Sequence, residues 1–184
     1  MIKALLFDLD GTLFDSTEAN VKAYGMAFRD VRLRFNESVY RKMFGLRFKE
    51  MMDAVAPGTD KATLERIKII KAQNYQKNLN LVRSNSALIS LIKSCKGRYK
   101  TALVTTASKQ NVTNLLAFFS IDESLFDVII RGEDVRRGKP DPECYIKAVK
   151  ELGVKPKECC IFEDSQPGIE AAQRSGAQVI KVSI

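Results

Sequence analysis

The chain has 184 residues, 45% hydrophobic and 28% charged, a balance that suits a globular domain rather than a disordered or fibrous chain. It contains no histidine, which excludes Ser-His-Asp and Cys-His nucleophile systems, histidine-ligated zinc and imidazole pH switches. Acid, base and nucleophile are left to Asp, Glu, Lys, Tyr or Cys, in a chain whose 30 basic and 22 acidic residues give a net charge of +8.

The first segment, IKALLFDLDGT, carries the apolar run that a parallel strand buried on both faces needs, and it ends at Asp8, Asp10, Gly11 and Thr12. From Phe14 to about Val82 the spacing turns helical. Val21, Tyr24, Phe28, Val31 and Phe35 recur three or four apart, and Leu64, Ile67, Ile70 and Tyr75 roughly follow, with Pro57, Gly58 and Thr59 breaking the block. Beyond Val82 helix and strand alternate: helix over 86–96, strand over 101–104, helix over 109–119 and strand over 128–130. Asp141 and Pro142 then open a helix that Gly153 stops, before a strand over 159–162. A short helix over 166–175, closed by Gly176, and a strand over 178–182 complete the chain. This order predicts an α/β fold, a Rossmann-like doubly wound parallel sheet of five strands. Residues 1–13 and 83–184 would form the α/β core, and residues 14–82 a small inserted all-α unit.

The four cysteines show no CxxC spacing, and adjacent Cys159 and Cys160 should face opposite sides of a strand. Reduced core thiols and a cytoplasmic location are the expectation. No apolar window reaches membrane-spanning length, so no membrane partner is expected. A pI near 9.4 admits nucleic-acid binding. The basic residues are spread along the chain without a nucleic-acid motif, so no nucleic-acid partner is expected.

In open α/β sheets ligands bind beyond the C-terminal strand ends. There the chain delivers Asp8 and Asp10, then Thr105 and Thr106, then Lys139 and finally Glu163 and Asp164. Carboxylates for a hard divalent cation, a hydroxyl donor and a lysine suit a phosphoryl group. A carboxylate such as Asp8 can attack phosphorus, and a second carboxyl kept protonated can supply the leaving group's proton. Other readings exist for each piece. DLDGT is also the composition of a strand-to-turn junction, Lys139 sits in a basic loop, Thr105 can cap a helix, and so can Asp164 or Ser165.

MIKALLFDLDGTLFDS, LVTTAS, GKPDPE and IFEDSQPGIEAA, in that order, resemble the four motifs of the haloacid dehalogenase superfamily of phosphohydrolases. The resemblance covers the whole chain and points to its members with a helical C1-type cap, the beta-phosphoglucomutase and phosphoglycolate phosphatase-like subgroup. It implies that Asp8 is the nucleophile and a magnesium ligand, and that Asp10 is the general acid/base and a ligand through its carbonyl. Thr105, helped by the backbone near Thr106, would bind phosphoryl oxygens, and Lys139 would neutralise charge on Asp8 and the phosphate. Asp164 would complete the Mg2+ site, with Glu163 as a direct or water-mediated partner. The inserted helical block, 14–82, would be the cap.

That block holds 13 basic and 8 acidic residues, which would draw in a small anionic phosphorylated substrate. Within MFGLRFKEMM, Arg47 and Lys49 are placed to reach toward the core, Arg47 for a second phosphate or a carboxylate. The resemblance also separates activities. Sugar phosphomutases carry a histidine near the position of Asn20, true dehalogenases lack the second Asp of the first motif, and phosphonate-cleaving members use a cap lysine, for which Lys22 and Lys49 are available. A magnesium-dependent phosphatase of small metabolites, monomeric or weakly dimeric, is the expectation. A mutase and a non-catalytic phosphate- or nucleic-acid-binding protein are the alternatives.

Overall fold

The structure, a computed structural model, describes residues 1–184. Strand β1 (Ala4–Phe7) leads through a two-residue strand, β2 (Phe14–Asp15), into four helices: α1 (Thr17–Asp30), α2 (Glu37–Lys42), α3 (Phe48–Val55) and α4 (Lys61–Lys77). The chain returns through β3 (Arg83–Ser84), α5 (Ser86–Cys95), β4 (Lys100–Val104), α6 (Lys109–Phe118) and β5 (Val128–Ile130). It ends with α7 (Glu143–Leu152), β6 (Cys159–Glu163), α8 (Gln166–Arg174) and β7 (Gln178–Lys181).

The five long strands form one parallel sheet in the order β5-β4-β1-β6-β7. The chain winds outward from β1 through β4 to β5 and then returns to the other side of β1, which makes the C-terminal end of β1 the topological switch point. Alternation along the buried strands sorts the core into two layers. Leu5 and Phe7 of β1 join Cys160 and Phe162 of β6 under α5 and α6, whereas Ala4 and Leu6 join Cys159 and Ile161 under α7 and α8. Cys159 and Cys160 thus take opposite faces, and all four cysteines are free thiols. The Phe7 and Phe162 rings stack at 4.8 Å, fixing the β1–β6 register one residue short of Asp8 and Glu163.

The helix ends follow local chemistry. The Asp141 carboxylate accepts from the Glu143 amide at 3.0 Å at the start of α7, and Gly153 closes it in the left-handed region at φ 65°. The β2–β3 antiparallel pair is not visible in the apolar pattern, because two residues are too few to show a period. It clamps the two crossings between the sheet and the helical block. The block has its own cluster around Tyr24, Phe28, Tyr40, Met52 and Ile67, yet Ala19, Ala23 and Tyr75 pack into the sheet's cluster instead. No helix is long and apolar enough to cross a membrane.

Leu6 is wholly buried between β1 and the α7–α8 layer. Leu6→Ala should cost about 2–5 kcal/mol, read as a lower urea midpoint with an unchanged slope.

Candidate active site

The β1–β6 and β1–β4 registers put Asp8 level with Glu163 and Val104 at the sheet's C-terminal edge, with Thr105 one residue further along. The Asp8 amide continues the ladder onto the Phe162 carbonyl at 3.0 Å. Lys139 reaches into this edge from the loop before α7. Its ammonium, 1% exposed, donates to Asp8 Oδ1 and to Glu163 Oε1, each at 2.5 Å. Burial works against that charge, but Asp8 and Glu163 outweigh it and push the lysine well above its ordinary pKa.

Glu163 is fully engaged. Its Oε1 accepts from Lys139 and from the Tyr145 hydroxyl at 3.1 Å, and its Oε2 accepts from the Ser165 amide at 2.9 Å and hydroxyl at 3.1 Å. A carboxylate has about four acceptor positions, and these four contacts occupy them in this arrangement. Ser165 Oγ also accepts from the Gly168 amide at 3.1 Å, so one hydroxyl both caps α8 and holds Glu163. Gly168 is required there, because a Cβ would lie 1.8 Å from Glu163 Oε1.

Carboxylate oxygens of Asp8, Glu163 and Asp164 lie within 4.8 Å of one another. Burial, with Glu163 next to it, pushes Asp164 up to about 6, and burial also raises Asp8. Three carboxylates facing one lysine favour a further positive charge, and an all-oxygen donor set fits a hard divalent cation. Asp164 is oriented by the Thr12 hydroxyl, which donates to Oδ1 at 2.9 Å. Gly11, at φ 94°, lets the turn pass so close that a Cβ would meet Asp164 Oδ2 at 2.1 Å.

Asp10 lies apart from this cluster. Its side chain turns toward the helical block, where the Ser16 hydroxyl donates to Oδ1. Burial pushes its carboxyl above the ordinary range, against that hydrogen bond. Thr105 is buried, and its Oγ1 accepts from the Ala107 amide at 3.0 Å. The Thr106 hydroxyl donates to the Gly45 carbonyl at 3.3 Å, tying the sheet edge to the helical block.

Between block and sheet edge lies a cleft of about 280 Å³, whose lining includes Asp10, Asn20, Tyr24, Lys71, Tyr75 and Thr106. Arg47 is at its rim, with its guanidinium donating to the Arg136 carbonyl at 2.6 Å and the Gly132 carbonyl at 3.2 Å. In this conformation Arg47 bridges block to core instead of presenting a free guanidinium to a ligand. Lys49 is 82% exposed and paired with Asp53 at 2.8 Å, outside the cleft. Lys49, two positions after Arg47 in the first turn of α3, turns outward, and its i,i+4 partner holds it there.

A cation that lines the cleft is Lys71, beside Lys68; its Nζ lies 4.4 Å from the Tyr75 ring centroid and 5.3 Å from that of Tyr24. Burial lowers it to about 8, opposed by Asp10. Sequence reasoning missed Lys71, although a signal existed. It lies four residues after Ile67 and four before Tyr75, a charge within an apolar stripe. Ser16 and Asn20 fall on the stripe of Tyr24 and Phe28 in the same way. Tyr145 gave no such signal, since a tyrosine among core positions reads as packing.

Residues 5–182 match the family model of haloacid dehalogenase-like hydrolases. The chain belongs to that family. It is 29% identical to a phosphorylated carbohydrates phosphatase of Thermotoga maritima over 182 residues, covering 97% of this chain and 84% of the relative. It is 33% identical over 178 residues to the validoxylamine A 7'-phosphate phosphatase of Streptomyces hygroscopicus subsp. limoneus, covering 96% and 83%. Among solved structures, a CbbY variant from Rhodobacter sphaeroides in complex with xylulose-(1,5)bisphosphate superposes with a TM-score of 0.88 at 26% identity, covering 100% of this chain and 87% of that one.

Lys139→Met should leave Asp8 and Glu163 facing each other without a counter-charge. The expected loss is about 3–5 kcal/mol at neutral pH in metal-free buffer, measured by urea unfolding.

Proposed function

We propose that the chain is a magnesium-dependent phosphohydrolase that cleaves a small phosphomonoester through an aspartyl phosphate on Asp8. That it is a phosphatase of the haloacid dehalogenase-like family follows from the match over residues 5–182 and from relatives that are phosphatases. The observation that carries the finer reading is the buried Lys139 pinned between Asp8 and Glu163 beside Asp164. A lysine so placed neutralises the charge that builds when one carboxylate approaches a phosphate dianion.

In this reading Asp8, Asp164 and the Asp10 carbonyl hold Mg2+, with Glu163 acting on the site through Lys139. The ion, when bound, screens the phosphoryl charge and orients the group for in-line attack. A carboxylate oxygen of Asp8 forms a bond to phosphorus while the ester P–O bond breaks, and Asp10 gives its proton to the departing oxygen. Water then attacks phosphorus, Asp10 takes its proton, and the bond to Asp8 breaks to release phosphate. The raised carboxyl of Asp10 suits the first of these duties. Thr105 and the backbone at Thr106 hold the phosphoryl oxygens. The helical block, residues 14–82, serves as a cap that closes the cleft and excludes bulk water. Lys71, with Tyr24 and Tyr75, faces the non-transferred part of the substrate, and the likeness to a phosphorylated carbohydrates phosphatase supports a phosphorylated carbohydrate as the first candidate. Arg47 contributes to selection by holding the cap loop against the core, and Lys49 by charge alone.

Phosphate release should be measured on a panel of sugar phosphates, nucleotides and short acid phosphates. Release should require Mg2+, stop with EDTA and vanish in Asp8→Asn, while the far-ultraviolet spectrum stays native. Release that survives Asp8→Asn would overturn the nucleophile assignment. A second outcome follows from Lys71, whose charge is lost as pH rises through about 8. KM for an anionic substrate should therefore climb above that pH, and Lys71→Arg should flatten the climb, because a guanidinium keeps its charge.

A further inference from the structure

Tyr145 is the largest wholly buried side chain in the molecule. It stands in the first turn of α7, six residues after Lys139, and belongs to the apolar cluster of Ala4, Leu6, Val149 and Ala171. A phenylalanine would fill the same space and leave no polar atom to satisfy. What the tyrosine adds is one hydroxyl, and that hydroxyl donates to Glu163 Oε1 at 3.1 Å.

The same oxygen accepts from Lys139, so two donors from one short stretch of chain meet on one atom. The Lys139 ammonium has three hydrogens, and three acceptors surround it. Glu163 Oε1 and Asp8 Oδ1 are each at 2.5 Å, and the Val104 carbonyl is at 3.4 Å. A stronger hold by one acceptor is therefore a loss for another, and Glu163 and Asp8 compete for a single charge. A hydrogen bond to a carboxylate stabilises its charge, so with Tyr145 in place Glu163 depends that much less on the ammonium. Nor can the carboxylate swing away. Its Oε2 is held by the Ser165 amide and hydroxyl, and Gly168 packs so closely that a Cβ there would meet Oε1 at 1.8 Å.

We propose that Tyr145 is a positioning residue for Lys139: its hydroxyl offsets part of the charge on Glu163, so the ammonium stays shared with Asp8, beside the phosphoryl group that Asp8 attacks. The proposal rests on the reading of Asp8 as nucleophile with Lys139 as its counter-charge. Tyr145 is enclosed, makes no hydrogen bond to Asp8 and acts only through Glu163. Without the hydroxyl, Glu163 takes a larger share of the ammonium, and two consequences run in opposite directions. Asp8 loses counter-charge, so Mg2+ meets less opposition at Asp8 and Asp164 and binds more tightly. The phosphoryl group loses the same positive charge, so attack by Asp8 slows. A tyrosine that only fastened α7 to β6 would, when altered, loosen the site and weaken both.

Tyr145→Phe tests this at nearly constant shape. The ring, whose centroid is 5.1 Å from Lys139 Nζ, is kept, and Glu163 Oε1 still accepts from the lysine, so no buried polar group is stranded. Two quantities are compared with the wild-type protein: the Mg2+ Kd, by titration calorimetry without substrate, and kcat/KM at saturating Mg2+ for the best substrate of a phosphomonoester panel. The expected result is an about tenfold lower kcat/KM, the factor that one hydrogen bond to a charged group supplies, together with a smaller Kd. In a Glu163→Gln background, whose neutral amide competes little for the ammonium, Tyr145→Phe should leave the Kd within about twofold. An unchanged kcat/KM overturns the proposal, as does a Kd that is unchanged or larger, or an equal shift of Kd in the Glu163→Gln background. A Tyr145→Phe chain that does not fold overturns it too, because the hydroxyl would then be a requirement of the fold. The underlying reading fails separately, if Asp8→Asn still releases phosphate, whatever Tyr145→Phe does.

Discussion

One buried ammonium organises the catalytic edge of this protein. Lys139 lies between Asp8 and Glu163, and without it two carboxylates would share a space from which water is excluded. The lysine's charge is in turn stable only because both acids are held still. Glu163 is fixed by Tyr145 from α7 and by Ser165 at the start of α8, and Asp8 by the sheet ladder. Elements from three parts of the chain thus converge on one nitrogen atom, and the stacked Phe7 and Phe162 rings set the register that makes convergence possible.

Around that pair the work is divided between two environments. The acidic cluster is largely buried, oxygen-rich and short of positive charge, which suits a divalent ion and a phosphoryl group. Asp10, two residues along the chain from Asp8, leaves this cluster and lines the cleft between the sheet edge and the helical block, with Tyr24, Tyr75 and Lys71. A turn made possible by Gly11 separates the two carboxyls, so neighbouring residues in sequence acquire different surroundings and different chemistry.

Much of this was legible in the residues. Long apolar runs ending in acids located β1 and β6, and Gly153 and Gly176 marked helix ends at left-handed turns. The motif residues Asp8, Thr105, Lys139, Glu163 and Asp164 fall at strand ends or in loops of that edge because a parallel sheet leaves little choice. What the sequence hid was direction. Spacing put Arg47 and Lys49 near the core, but only the fold shows Arg47 bound to core carbonyls and Lys49 turned to solvent beside Asp53. The polar stripe positions Ser16, Asn20 and Lys71 looked like interruptions of an apolar face, and their meaning depends on Asp10 being opposite them.

The β2–β3 pair has a wider consequence. Because the chain enters and leaves the helical block through adjacent antiparallel residues, Phe14 beside Ser84 and Asp15 beside Arg83, the block hangs from the sheet at a point where its two ends meet. Changing the length or composition of the block beyond Ser16, Ala19, Ala23 and Tyr75, which hold Asp10 or pack on the sheet, would leave the strand order, the lysine and the acids where they are. In the proposed reading, what is recognised can change while the way a phosphate is removed stays the same, with reagent and selector on separable pieces of chain.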